Sequence, residues 1–240
     1  MRPPAVFATT HWSAVMAAAR NDTTRAHDAL ANLCRASWYP LYAHARRRGC
    51  SPNDAQDVTQ SFFVHLLENE SLAAADPARG RFRSFLLAAM NNFLNTEWTK
   101  ARTQKRGGQN EFFSLDAATS ENRFKLEPVD HASPDKLFDR QWATALLENV
   151  LQQLEEVYRD ENKHALFQAL KPTLMGARES QPYAALAAQL GQTEAAIKVS
   201  VHRLRQRYRE LIRNQIAGTV ASPEEISGEM RHLLEALAGR

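Results

Sequence analysis

Cysteine is nearly absent from this sequence, with only Cys34 and Cys50 in 240 residues. The two match no metal-ligand spacing, and each falls within a helical pattern, so both are expected as reduced thiols and not as a disulfide. Glycine is scarce, at nine residues. β-Branched residues do not cluster, while alanine and leucine are frequent, which favours helices over sheets. No apolar run approaches the ~20 residues of a membrane span. The opening stretch MRPPAVFATTHW lacks the apolar core of a signal peptide. A soluble, cytoplasmic chain without membrane insertion is therefore expected. There is no Gly-rich phosphate loop and no His, Cys or carboxylate cluster at metal spacing, so no cofactor, metal or enzymatic centre is expected. The eight histidines are scattered; His65 and His202 read as surface or groove residues. Formal net charge is only +3, although the isoelectric point is near 9.0. Any affinity for nucleic acid must then come from local patches.

The most informative stretch is Tyr183–Arg213. Leu186 and Leu190 lie four apart on a first short helix. Gly191 follows, the residue type that tolerates positive φ where a helix stops sharply. Thr193 is a natural N-cap for a second helix. Ile197, Val201, Leu204 and Tyr208 recur at three- and four-residue spacing and make its apolar face. Lys198, Ser200, His202, Arg203, Arg205, Arg207 and Arg209 occupy the other face. A short helix, a Gly-containing turn and a second helix with a cationic outer face predict a helix-turn-helix, whose second helix enters a major groove.

Upstream, Thr10 can cap a short helix bearing Trp12, Val15 and Met16. Thr23 or Thr24 opens a longer one, striped by Leu30, Leu33, Cys34, Trp38, Leu41, Tyr42 and Ala45, with Pro40 expected to bend it. Ser51-Pro52-Asn53-Asp54 is a strong helix start: N-cap, proline in the first helical position and an acid at the capping-box position. In that helix Ala55, Val58, Phe62, Leu66 and Phe63 are expected inside. Asp54, Gln56, Asp57, Thr59, Gln60 and Ser61 are expected largely outside. The next helix, from Phe82, carries Phe85, Leu86, Ala89, Phe93 and Leu94 for packing. Its remaining surface is basic, amide-rich and aromatic: Arg81, Arg83, Asn91, Asn92, Asn95, Trp98, Lys100, Arg102, Lys105 and Arg106. Cations interleaved with an aromatic suit a melted nucleic-acid strand, whose exposed bases stack at ~1–3 kcal/mol each. Residues 107–134 read as a polar linker. Helical periodicity resumes at Asp135, and a further helix is expected near His164–Leu170. The fold class is thus all-α, with two helical domains joined by a flexible linker and a helix-turn-helix in the C-terminal one. The boundaries are 1–106, linker 107–134, 135–220 and a helical extension 221–240, expected to fold back on the second domain.

Taken together, the chain resembles a bacterial sigma factor of the small extracytoplasmic-function group, over nearly its whole length. SPNDAQDVTQSFF is similar to that group's polymerase-binding helix, with Asp54, Ala55, Asp57, Val58, Gln60 and Phe62 in register. RFRSFLLAAMNNFLNTEW resembles the segment that opens and reads the −10 promoter element, and YAALAAQLGQTEAAIKVSVHRLR the −35-reading helix-turn-helix. The resemblance implies a protein that is not an enzyme, binds core RNA polymerase and directs it to promoter DNA. It implies polymerase contacts by Asp54, Asp57, Gln60 and Ser61, and −10 contacts by Arg81, Arg83, Asn91, Asn92, Asn95 and Trp98. The loop from Asn69 to Arg81 would cradle an extruded base. Contacts to the −35 element fall to Thr193, Lys198, Ser200, His202, Arg203 and Arg205, divided between base edges and phosphates.

One departure from the family pattern suggests regulation. Gln56 and Ser61 stand where acids are common, so the helix offers a basic partner fewer carboxylates. Thr59 is expected on the same outer surface, where a phosphate would restore about −1.5 to −2 charges. Thr59 is therefore a candidate phosphosite for a Ser/Thr protein kinase; an anti-sigma factor is the other regulatory partner considered. The rival function is a stand-alone helix-turn-helix transcriptional regulator, which binds DNA without polymerase and usually as a symmetric dimer.

Overall fold

The computed structural model describes residues 36–68, 81–103, 117–127, 132–174 and 181–239. Among these residues all regular structure is helical, as composition and periodicity predict. The helices are α1 (described part 36–47), α2 (Pro52–Glu68), α3 (Phe82–Thr103), α4 (Ala117–Leu126), α5 (Pro134–Asp160), α6 (His164–Leu170), α7 (Tyr183–Leu190), α8 (Glu194–Ala217) and α9 (Ile226–Leu237). Short 3₁₀ turns at Lys171–Leu174 and Pro223–Glu225 follow α6 and precede α9. The helix proposed from Thr10, the start near Thr23, Cys34, the loop 69–80 and the segment 104–116 lie outside the described residues.

The chain divides into two compact units. One comprises the described residues through Ala145 together with those from Ile216 onward; the other is Leu146–Gln215. These limits differ from the sequence boundaries. The first turns of α5 and the whole C-terminal extension group with α1–α4, because their apolar side chains and ion pairs meet those helices.

In the first unit, α1 continues across Pro40 and buries Trp38, Leu41, Tyr42 and Ala45. Helix α2 starts as its sequence predicts: the Asp54 amide donates to Ser51 Oγ at 3.2 Å, and that hydroxyl donates to Asp54 Oδ2 at 2.7 Å. Ala55, Thr59, Phe62, Phe63 and Leu66 form its buried stripe. Helix α3 buries Phe82, Leu86, Met90 and Leu94, each four residues after the last. Aromatic contacts tie these helices together: Trp38 stacks on Phe63, Phe62 meets Phe93, and Phe82 and Phe138 both meet Trp142 of α5.

The second unit has its own core. Leu154 and Tyr158 of α5, Phe167 and Leu170 of α6, Leu186 and Ala187 of α7, and Ile197, Val201 and Leu204 of α8 form one cluster. Between α7 and α8, Gly191 takes the left-handed conformation (φ 61°, ψ 32°), and its amide donates to the Ala187 and Ala188 carbonyls. Thr193 Oγ1 accepts from the Ala196 amide at 3.2 Å, which caps α8.

Two expectations are corrected here. The described part of the supposed flexible linker contains helix α4, held on α1 by several charged contacts. Tyr42 Oη donates to Glu121 Oε2 at 2.6 Å, and Arg46 Nε donates to the same oxygen at 3.0 Å. Tyr39 and Arg47 both donate to Glu127, and Arg46 and Arg47 lie over the Phe124 ring. The composition of this stretch is polar, but its carboxylates find cations and phenols that only the fold supplies. The second correction concerns the tail, expected to fold back on the second domain, which instead groups with the first unit. The Phe82 amide donates to the Thr219 carbonyl at 2.9 Å, and Glu229 and His232 of α9 pair with Arg81, Arg83 and Asp139.

Candidate functional site

Three exposed surfaces hold most of the residues singled out in the sequence. On α2, Asp54, Asp57 and Ser61 lie on one exposed stripe that continues to Val64 and His65; Gln60 beside it is half-buried. The spacing of three and four residues that buries Ala55, Thr59 and Phe62 turns these acids outward.

Thr59 is not on that surface. It has no exposed area, and its hydroxyl donates to the Ala55 carbonyl at 2.6 Å. The expectation that Thr59 lies on the outer surface is corrected by this burial: as folded, its hydroxyl is turned into the helix and away from solvent. The cause is legible in retrospect, since Ala55, Thr59 and Phe63 recur every four residues. A threonine can join an apolar stripe when its hydroxyl bonds back to the preceding turn.

On α3, Asn92 and Asn95 are exposed on one face, with Trp98 next to them at 36 % exposure. The Arg48 guanidinium from the end of α1 lies 5.4 Å over the Trp98 ring, so cation and aromatic are adjacent on one surface. Beside them, Phe62, His65, Phe85, Asn92 and Phe93 line a groove between α2 and α3. Asn91 is placed differently: it is half-buried, and its Oδ1 accepts from His44 Nε2 at 2.8 Å. Burial is the main influence on His44 and lowers its pKa, against the pull of the Asn91 bond. The neutral Nε2–H form fits this arrangement.

Arg83 departs furthest from expectation. It is 5 % exposed and shared between Glu229 and Asp139. Arg81 is partly exposed and pairs with Glu229 at 2.9 Å. As folded, neither stands with Asn92, Asn95 and Trp98 as an open cation. Glu229 went unnoticed in the sequence; the signal was an acid embedded in an otherwise apolar stripe, between Ile226 and Leu233.

On α8, Lys198, His202, Arg203 and Arg205 are exposed, as is Thr193 at its cap, while Ser200 is half-buried. Lys198 pairs with Glu194 one turn earlier at 2.8 Å, and this bond raises its pKa. Arg205 donates to the Thr173 carbonyl at 2.9 Å. Arg207 turns inward, pairing with Glu161 at 2.9 Å and covering the Tyr158 ring. Val199 adds an apolar spot, 50 % exposed, among the cations.

Cys50 is buried, and its thiol is pushed up by that burial. Among the described residues no group of three His, Cys, Asp or Glu side chains could hold a metal ion, and no helix is long and apolar enough to cross a membrane. Comparison with family models, with curated proteins and with solved structures found no match for this chain.

Proposed function

We propose that this chain is a sigma factor of the extracytoplasmic-function group, which binds core RNA polymerase and directs promoter-specific initiation. In this reading the acidic stripe Asp54–Asp57–Ser61 on α2 meets basic helices of the polymerase. Asn92, Asn95 and Trp98 meet the melted −10 strand. The helix-turn-helix α7–α8 lies on the −35 element, with Arg203, Arg205 and His202 reaching bases or phosphates.

The observation that carries the reading is the exposed face of α8. Ile197, Val201 and Leu204 are buried, while Lys198, His202, Arg203 and Arg205 all face solvent behind a capped start and a left-handed glycine. A helix so presented can enter a major groove with its N-terminal half. The acid stripe on α2 and the amide–aromatic face of α3 are the second and third supports. They favour a polymerase partner over the stand-alone regulator, which needs neither.

The test is transcription in vitro with purified core polymerase on fragmented genomic DNA, followed by start-site mapping. Discrete starts sharing upstream sequence are expected. Tight DNA binding with no association to core polymerase would point to the stand-alone regulator instead.

A further inference from the structure

Helix α9 is held more by charge than by apolar contact. Leu233 is buried, but Leu234 is 60 % exposed, and Ile226, Met230 and Leu237 are only half-buried. On the face of Leu233, one turn earlier, Glu229 is 0 % exposed. Its Oε1 accepts from Arg83 Nε at 2.7 Å. Its Oε2 lies 2.9 Å from Arg81 Nε, an ion pair without hydrogen-bond alignment. Arg83 also donates to Asp139 of α5, whose other oxygen lies 3.0 Å from His232 of α9. Two cations at the start of α3 thus share two carboxylates, one of which belongs to the tail.

Such an anchor orients strongly and holds weakly. Each buried ion loses hydration worth several kcal/mol, which the pairing offsets only in part. A helix of 12 residues is marginal alone in water, so an undocked α9 melts. The cations it leaves behind need new anions. Phosphodiester oxygens supply the same charge-assisted bonds that Glu229 supplies, in a flexible chain that can reach both guanidinium groups.

We propose that α9 is a displaceable carboxylate latch over a phosphate-binding site made by Arg81 and Arg83, and that Glu229 and a single-stranded nucleic-acid backbone compete for these two residues. The inference rests on the functional reading above for why α3 meets a strand at all. Latched, α3 presents Asn92, Asn95 and Trp98 without the two cations; unlatched, it gains them. The latch therefore governs affinity and salt dependence and leaves base preference to the exposed face.

The experiment uses the full chain and a fluorescein-labelled random 20-nucleotide DNA strand, titrated by anisotropy over a range of salt, with hydrogen exchange followed across α9. Glu229→Gln should bind about five- to tenfold more tightly. Its salt slope should steepen by about 0.7 for each phosphate gained. Adding Arg81→Gln to it should remove most of the gain. Gly228→Ala works in the opposite direction: an added methyl group meets nothing nearer than Arg81 at 4.0 Å, and alanine favours the helical, latched form. It should weaken binding about two- to threefold, and it remains informative if Glu229→Gln fails to fold. Equal affinity and slope in wild type, Glu229→Gln and Gly228→Ala would overturn the proposal. So would α9 exchange as slow as that of the α3 core in both wild type and Glu229→Gln. Transcription with core polymerase, measured alongside, separates the two readings. If wild type transcribes and Glu229→Gln binds no better, the latch alone is lost. If Glu229→Gln binds better and wild type never transcribes, the latch stands and the sigma reading is lost.

Discussion

Thr59 points its hydroxyl into α2's own preceding turn, and its methyl group shares a stripe with Phe62 and Phe63. Charge at this position has nowhere to go. Thr59→Glu should destabilise the protein by about 3 kcal/mol or more, the scale of an uncompensated buried ion, whereas Thr59→Val should stay within about 1 kcal/mol. Urea unfolding of the two variants checks this, and a phosphomimetic reading of Thr59→Glu would be misled by the unfolding. His44 makes the matching prediction for pH. Burial holds its folded pKa below the ordinary 6.5, the Asn91 hydrogen bond notwithstanding. The unfolded chain then takes up a proton that the fold refuses. Stability is full above about pH 6.5 and falls as the pH drops below it. His44→Gln should flatten that slope, as read by denaturant midpoints measured between about pH 5 and 8.

At the scale of elements, helix starts and stops are local chemistry, and they can be tested locally. Ser51 caps α2 through the Asp54 amide, so Ser51→Ala should cost about 1 kcal/mol. Gly191 sits at φ 61° with open space where a Cβ would be. The cost of Gly191→Ala is therefore backbone strain alone, about 1–2 kcal/mol, and Gly191→Asn should cost less. Both are measurable by thermal unfolding, followed by hydrogen exchange in residues 146–215. Helix α4 illustrates the other kind of element, one that its own sequence barely supports. Its acids are matched across the gap to α1. Burial raises the pKa of Glu121, but the hydrogen bonds from Arg46 and Tyr42 with the charges of Arg46 and Lys125 together bring it below the ordinary value. Burial and that same carboxylate push the Tyr42 phenol up to about 12.

At the scale of the molecule, the proposed function needs two surfaces of opposite sign that fail independently. Asp54→Lys with Asp57→Lys should weaken core-polymerase association about tenfold by placing like charges together. It should leave duplex binding within about twofold, since α2 is not a DNA surface in this reading. Arg203→Ala with Arg205→Ala should do the reverse, lowering the salt slope of duplex binding by about 0.9 for each phosphate contact removed. Co-purification with core enzyme and anisotropy on promoter fragments measure the two arms. A single variant pair that abolishes both would indicate one shared surface and sink the proposal.

Helix identity, the α2 capping box, the glycine stop after α7 and the apolar face of α8 were all determined by sequence alone. Each depends on residues within about two turns of one another, where periodicity and side-chain caps act directly. Which polar residues would vanish from the surface was decided only by tertiary structure. Arg83 and Glu229 lie 146 positions apart, and the neighbourhood of neither one names the other as its counter-ion. Their burial is tolerable only because each supplies the other's counter-charge. The same holds for Glu121 with Arg46, and for the tail's choice of the first unit over the second. Periodicity tells a helix which of its faces is apolar, but not which distant ion will meet the charge left on that face.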